Sequence, residues 1–243
     1  MHVIKLNATD STNSYLKSLV QSGHIDDLTT VVADQQYMGR GQMGTYWQSE
    51  TGKNLTFSVL KHFDDFNAID RFRLNICISL ALVAALNELQ VPDIAIKWPN
   101  DILSGTSKIC GILIENTLSG DKIRHSIIGI GLNVNQYTFD TLENVSSLKL
   151  LLGRNLNLDE LLNQILTHLK KEFQNLESHT ESSFWKSYEN LLFRKDKPST
   201  FNDNEGSIFM GFIRGVSKNG KLQVTLEDDI LKEFDLKEVK LLY

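Results

Sequence analysis

Between two strand-like runs, residues 29–34 and 55–60, the chain carries Gly39-Arg40-Gly41-Gln42-Met43-Gly44, followed by Tyr46-Trp47. This loop fits G-x-G-x-x-G, the dinucleotide fingerprint, and Asp64 falls about twenty residues on, as that fingerprint asks. The fingerprint also needs a helix opening at the third glycine. Here the next ten residues, 45–54, lack a 3.6-residue apolar period and contain Gly52, and a strand pattern follows. A doubly wound dinucleotide fold is therefore excluded. A Walker loop is excluded too, because no Gly-Lys-Ser/Thr follows. What remains is a glycine loop between strands. Its free N–H groups suit an anion, Arg40 adds a bidentate donor, and Trp47 offers a flat face for a ring.

The chain has 243 residues, room for one large domain or a medium one with a small companion. Apolar residues make up 41%, enough for a sizeable core. The net charge is −5 with no block of one sign, which argues against a nucleic-acid surface. The first residues are not a signal peptide. The longest apolar helical run, 76–89, is interrupted by Ser79, Asn87 and Glu88 and is too short to span a bilayer. Cys77 and Cys110 both sit in apolar runs, which suggests a reduced cytoplasmic setting and no disulfide framework.

The pattern predicts a short strand at 3–6 and a helix capped by Asp10 or Ser11, with Tyr15, Leu16, Leu19 and Val20 on one face. A long buried helix spans 70–90 and a strand covers 94–98. A strand pair, 109–115 and 126–133, turns at Ser119-Gly120-Asp121. Asn157 and Glu160 form a capping box for a helix to residue 177, and a last helix covers 184–193. Beyond Arg194 and Pro198 only short strands follow. Asn219-Gly220, between 208–216 and 221–227, signals a type I′ hairpin.

Four further clusters place polar groups where core would be expected. Ser11-Thr12-Asn13 is either a helix cap or a set of neutral donors and acceptors for an uncharged polar head. Lys97-Trp98-Pro99-Asn100-Asp101 groups a cation, an aromatic, an amide and a carboxylate, a set that suits phosphates and Mg²⁺. In the run 108–115, alternation puts Lys108 and Cys110 on one face and Gly111 on the other. Lys108 can hold a carboxylate, and Gly111 marks close approach by a ligand or another backbone. In Gly129-Ile130-Gly131-Leu132-Asn133-Val134-Asn135, the glycines imply that something lies against the strand. Asn133 and Asn135 either contact a nucleotide or end the strand.

In order and spacing, Ser11-Thr12-Asn13, the segment from Ala33 to Gly41, Trp47, Lys97-Trp98-Pro99-Asn100-Asp101, the run from Lys108 to Glu115 and Gly129-Ile130-Gly131-Leu132-Asn133 resemble the biotin protein ligases, in a short form without an N-terminal DNA-binding domain. The resemblance implies an α+β chain. Residues 1–194 would form a mixed-sheet catalytic domain like that of class II aminoacyl-tRNA synthetases, and 195–243 a small SH3-like β-barrel. It implies ATP and biotin as substrates with Mg²⁺. A biotin carboxyl carrier protein or domain, as in acetyl-CoA carboxylase, would be the partner. It further implies a cytoplasmic enzyme, possible as a homodimer, with no specific DNA binding and no membrane.

The same resemblance assigns residues. Lys108, Arg40 and Lys97 would be the catalytic cations. Ser11, Thr12, Asn13, Gln36, Gly39, Arg40, Gly41, Gln42, Lys108 and Gly111 would bind biotin. Arg40, Trp47, Lys97, Asn100, Lys108 and Asn133 would bind ATP, with Trp47 near adenine, and Asn100 and Asp101 would meet Mg²⁺. Many relatives carry a second arginine where this chain has Gln42, and a basic or polar residue where it has Met43. A lipoate or octanoate ligase of related fold would instead carry an Arg-rich Gly-Gly-Gly segment, which is absent.

Overall fold

A computed structural model describes residues 1–139, 143–178 and 181–243. Seven strands form one mixed sheet: β1 (Val3–Thr9), β2 (Thr30–Gln36), β3 (Leu55–His62), β4 (Ile94–Lys97), β5 (Asp101–Ser104), β6 (Ser107–Ser119) and β7 (Lys122–Leu132). Their order is β1-β2-β3-β7-β6-β5-β4. β1 and β2 are parallel and every other neighbouring pair is antiparallel. The parallel pair needs a crossover, supplied by α1 (Thr12–Ser22).

The two faces of the sheet are covered unequally. On one face lies α2 (Arg71–Glu88), apolar nearly all round, as a helix buried on several sides must be. α4 (Leu158–Ser178) packs beside it, with α3 (Leu148–Leu152) and α5 (Glu181–Glu189) completing the helices. Phe57, Val59, Ile112, Ile128 and Ile130 meet them in the main core. Among the described residues the other face carries only α1, whose Leu16 packs with Val31, Leu60 and Ile127, supported by Tyr15, Leu19 and Val20. Among the described residues, no helix covers the rest of that face, toward β6 and β5.

The C-terminal strands are β8 (Pro198–Asp203), β9 (Ile208–Val216), β10 (Leu222–Leu226), β11 (Leu231–Phe234) and β12 (Val239–Leu242). They form an antiparallel sheet in the order β11-β10-β9-β8-β12. Pairing of β11 with β12, which would close a barrel, is not found among the described residues. Among those residues, too, no helix is long and apolar enough to cross a membrane.

Two expectations are corrected. The last helix ends at Glu189, because residues 191–193 run beside β4 instead: Ile96 N–H donates to Leu191 O and Phe193 N–H to Ile96 O. The β9–β10 turn has positive φ at Gly220 but not at Asn219, and Gly220 N–H bonds Ser217 O. That is a type I turn with the glycine in the left-handed position, not type I′. Ser11 is the N-cap residue of α1, one of the two expected, although its side chain makes no cap bond. Strand β5 was not anticipated, since Asn100-Asp101 reads as polar loop.

Gly220 also anchors the C-terminal sheet. Its carbonyl accepts from Trp98 Nε1 at 2.9 Å, and Phe72 lies where a Cβ would stand, 2.6 Å away. Gly220→Ala therefore combines left-handed strain with overpacking, together about 2–4 kcal/mol. The melting temperature should fall by roughly 4–16 °C for a chain of this size. Calorimetry checks this; an unshifted melt would mean that the turn does not dock on Phe72.

Candidate active site

The uncovered part of the sheet face becomes a cleft because its strands lack side chains there. Gly111 of β6 pairs with Gly131 of β7, Leu113 pairs with Gly129, and Ser58 of β3 stands opposite Gly129. Cross-strand partners share a face. A cavity of about 260 Å³ opens over these glycines, walled by the start of α1, the glycine loop and the ends of β5 and β6.

At one end lies a buried neutral network. Ser11, Thr12 and Asn13 are each 3% exposed, so they turn into the protein rather than cap a helix in solvent. Gln36 Oε1 accepts from Thr12 N–H at 2.8 Å, and the Thr12 hydroxyl lies 3.1 Å from the same oxygen. Ser58, fully buried, places its hydroxyl within bonding distance of both Thr12 Oγ1 and Asn13 Oδ1. A hydroxyl has one proton and the Asn13 carbonyl can only accept, so the Ser58 proton goes to Asn13. That fixes the amide: Asn13 Nδ2 faces outward and donates to Glu115 Oε2 at 2.8 Å. Ser58 and Glu115 were given no role from sequence. The signal for Ser58 was a hydroxyl inside an otherwise apolar central strand.

Two cations face the same cavity, each held by a carboxylate. Arg40 Nη1 lies 3.1 Å from Glu115 Oε1, and Lys108 Nζ lies 2.7 Å from Asp101 Oδ1. Lys108 reverses the expected alternation. β5 and β6 slip register, with Ile102 opposite Cys110 but Leu103 opposite Lys108, leaving Ile109 as an extra residue. Such a bulge re-aims the preceding side chain. Lys108 thus shares the cleft face with Gly111, its Nζ 3.4 Å from where a Gly111 Cβ would stand. Cys110 is completely buried and burial pushes its thiol far up, so it is no nucleophile.

The glycine loop is a small hairpin. Trp47 N–H donates to Gly39 O and Gly41 N–H to Thr45 O, around a 3₁₀ turn at Gln42–Gly44. Gly39 and Gly41 are required by this hairpin itself: a Cβ would meet Trp47 O at one and Thr45 Oγ1 at the other. The hairpin swings the Trp47 ring onto Gly131, where a Cβ would clash with Cε2, and within 5.8 Å of Lys108 Nζ. So the group lying against the β7 glycines is the chain's own: Trp47 at Gly131 and Asn13 at Gly129. Trp47 Nε1 is buried without a hydrogen-bond partner among the described residues.

Ser11, Thr12, Asn13, Gln36, Arg40, Gly41, Gln42, Trp47, Asn100, Asp101, Lys108 and Gly111 all line this cavity. Three expected residues do not. Gly39 packs on the Trp47 backbone. Asn133 is buried and donates to Ser146 O, holding the segment after β7. Lys97 faces a second cavity, between the two sheets, with Trp98, Pro99, Lys237 and Lys240. Its Nζ stands 4.9 Å from the centre of the Tyr243 ring. Gln42 borders both cavities. No cluster of three metal-ligating side chains occurs among the described residues.

A mixed sheet with a buried neutral network and two carboxylate-paired cations in one cleft is an arrangement able to take a polar ring carrying an acid. The sequence pattern of the Biotin/lipoate A/B protein ligase family matches residues 6–133, and the chain belongs to that family. It is 29% identical over 238 residues to the bifunctional ligase/repressor BirA of Bacillus subtilis, covering 95% of this chain and 71% of that one. It is 34% identical over 131 residues to the biotin–[acetyl-CoA-carboxylase] ligase of Paracoccus denitrificans, 53% of each chain. Its structure resembles the biotin protein ligase of Aquifex aeolicus in complex with biotin and ATP, with TM-score 0.80 and 27% identity. That match covers 99% of this chain and 98% of the other.

Ser58→Ala removes the donor to Asn13 Oδ1 and leaves a buried acceptor bare. The variant should lose about 1–3 kcal/mol of stability in urea unfolding. Unchanged stability would remove Ser58 from the centre of the network.

Proposed function

We propose that the protein is an ATP-dependent biotin ligase. The biotin carboxylate attacks the α-phosphorus of ATP, giving biotinyl-5′-AMP and releasing pyrophosphate. The amine of a lysine on a biotin carboxyl carrier domain then attacks the acyl carbon, and AMP leaves. The observation that carries this reading is the pairing, in one cleft, of a buried neutral network with two cations. The network suits a ureido ring and the cations suit a carboxylate and phosphates.

On this reading Ser11, Thr12, Asn13 and Gln36 hold the ring, and Gly111 lets the strand backbone approach it. Lys108 and Arg40 hold the carboxylate and then the acyl phosphate, where positioned charge accelerates adenylyl transfer. Gly39, Gly41 and Gln42 belong to the hairpin that covers the ligand. Trp47 supplies a ring face for adenine once it leaves Gly131. Asp101 and Asn100 would hold Mg²⁺. One carboxylate and one amide oxygen suit a metal whose remaining ligands are phosphate and water, and bound Mg²⁺ would neutralise phosphate charge. Lys97, on the far side of Gln42, would meet the phosphate tail, and Asn133 would act on the nucleotide through the strand end.

We extend the reading to organisation. Residues 1–194 form a catalytic domain related to those of class II aminoacyl-tRNA synthetases, and 195–243 an SH3-like domain. The enzyme works in the cytoplasm on a carboxylase carrier, without specific DNA binding, and can form a homodimer. The similarity to a ligase solved with biotin and ATP supports the activity.

Mass spectrometry of a carrier domain incubated with the protein, ATP, Mg²⁺ and biotin tests it: the carrier should gain one biotinyl group. An unmodified carrier, or equal modification by lipoate, would contradict the assignment. Lys108→Ala should slow pyrophosphate release about 10- to 150-fold, the worth of one charge-assisted hydrogen bond, in a variant that still folds but melts lower because Asp101 loses its partner. Wild-type rates in that variant would remove Lys108 from the chemistry.

A further inference from the structure

We propose that Glu115 is a positioning residue that parks Arg40 on the cleft wall until an anionic group of the ligand displaces it. The inference rests on the ligase reading above. Along β6 the cleft face runs Gly111, Leu113, Glu115. Gly111 and Leu113 line the cavity, and Glu115 stands just behind its wall, touching Asn13 and Arg40, which do line it. Its carboxylate has two customers of different kinds. Asn13 Nδ2 donates to Oε2 at 2.8 Å, and Asn13 is itself fixed by buried Ser58. Arg40 Nη1 approaches Oε1 at 3.1 Å and Oε2 at 3.4 Å, and Arg40 belongs to the glycine hairpin. One arm is therefore anchored in the core and the other is on the loop.

The pair is built for exchange. The Arg40 and Glu115 side chains are 47% and 27% exposed, so water competes for both and the bond between them is weak. A phosphate offers Arg40 the same forked acceptor geometry as the carboxylate. A neutral ligand tail offers none. Arg40 should therefore transfer from Glu115 to an acyl phosphate and should stay on Glu115 when the ligand ends in an amide. When the adenylate leaves, Glu115 takes the guanidinium back, and that competition shortens the lifetime of the bound intermediate.

Glu115→Gln is the variant to examine, because it keeps length and an acceptor for Asn13 while removing the charge. Biotinyl-5′-AMP is formed on wild type, Glu115→Gln, Arg40→Met and the double variant, and its release is timed after dilution. Glu115→Gln should release it about threefold more slowly, the size of effect a half-exposed ion pair gives. Arg40→Met should release it faster. In the Arg40→Met background, Glu115→Gln should change nothing. Unchanged or faster release from Glu115→Gln would overturn the proposal. So would the same slowing in the double variant, because it would reveal a general charge effect that does not pass through Arg40. Absence of adenylate in the wild type would sink the ligase reading itself, and this role with it.

A second measurement needs no variant. The Arg40 Nε–H resonance of the wild-type protein should shift on adding a non-hydrolysable phosphate analogue of biotinyl-5′-AMP, and hold its position with biotin amide. Equal shifts with both would overturn the proposal.

Discussion

The site depends on the absence of side chains on one patch of a sheet. Gly111, Gly129 and Gly131 lie side by side on β6 and β7, facing the half of the sheet that α1 leaves open. A Cβ at Gly129 would overlap Asn13, and one at Gly131 would overlap Trp47. Strand glycines cost stability, since they bring entropy and no packing. Here the cost is offset on the opposite face, where the neighbouring residues Ile112, Ile128 and Ile130 pack into the main core. The alternation of a β-strand thus separates two tasks. Odd positions here shape a cavity, and even positions hold the fold.

Within that cavity, charge and neutrality are handled differently. The neutral network is finished before any ligand arrives, with Gln36, Ser58 and Glu115 fixing Thr12 and Asn13. Such preorganisation lowers the ordering cost of binding a polar ring. The cations are instead paired within the protein, Arg40 with Glu115 and Lys108 with Asp101. Lys108 and Asp101 are mostly buried, so each would be costly without the other, whereas the more exposed Arg40–Glu115 pair is weak. An anionic ligand then binds by exchange of partners, which makes its affinity a difference between two ion pairs.

Much of this was legible in the sequence. The missing helix after Gly44 excluded a dinucleotide fold, and the structure has a hairpin and then β3 at that place. The runs at 11–13, 40–47, 100–101 and 108–111 do converge on one cavity. What the sequence hid was register and lateral order. A bulge at Ile109 turned Lys108 to the face opposite the one alternation gives. Lys97 stands on β4, with β5 between it and β6, so two strand spacings, about 10 Å, separate it from Lys108. Asn133 lies outside this cavity, with its amide donating to Ser146 O at the end of β7. Glu115 is read only through Asn13 and Arg40, far away in the chain, which no local pattern reveals, and the one local sign of Ser58 is its hydroxyl in a mostly apolar strand.

The central claim is that this cleft joins the biotin carboxylate to the α-phosphorus of ATP. Exchange of labelled pyrophosphate into ATP, followed with no carrier present, tests it most directly, because it reports the first bond made and its reversal. The account predicts exchange that requires biotin, is not supported by lipoate, and stops when biotin is replaced by its amide. Exchange that proceeds without biotin, or equally with lipoate, would contradict it.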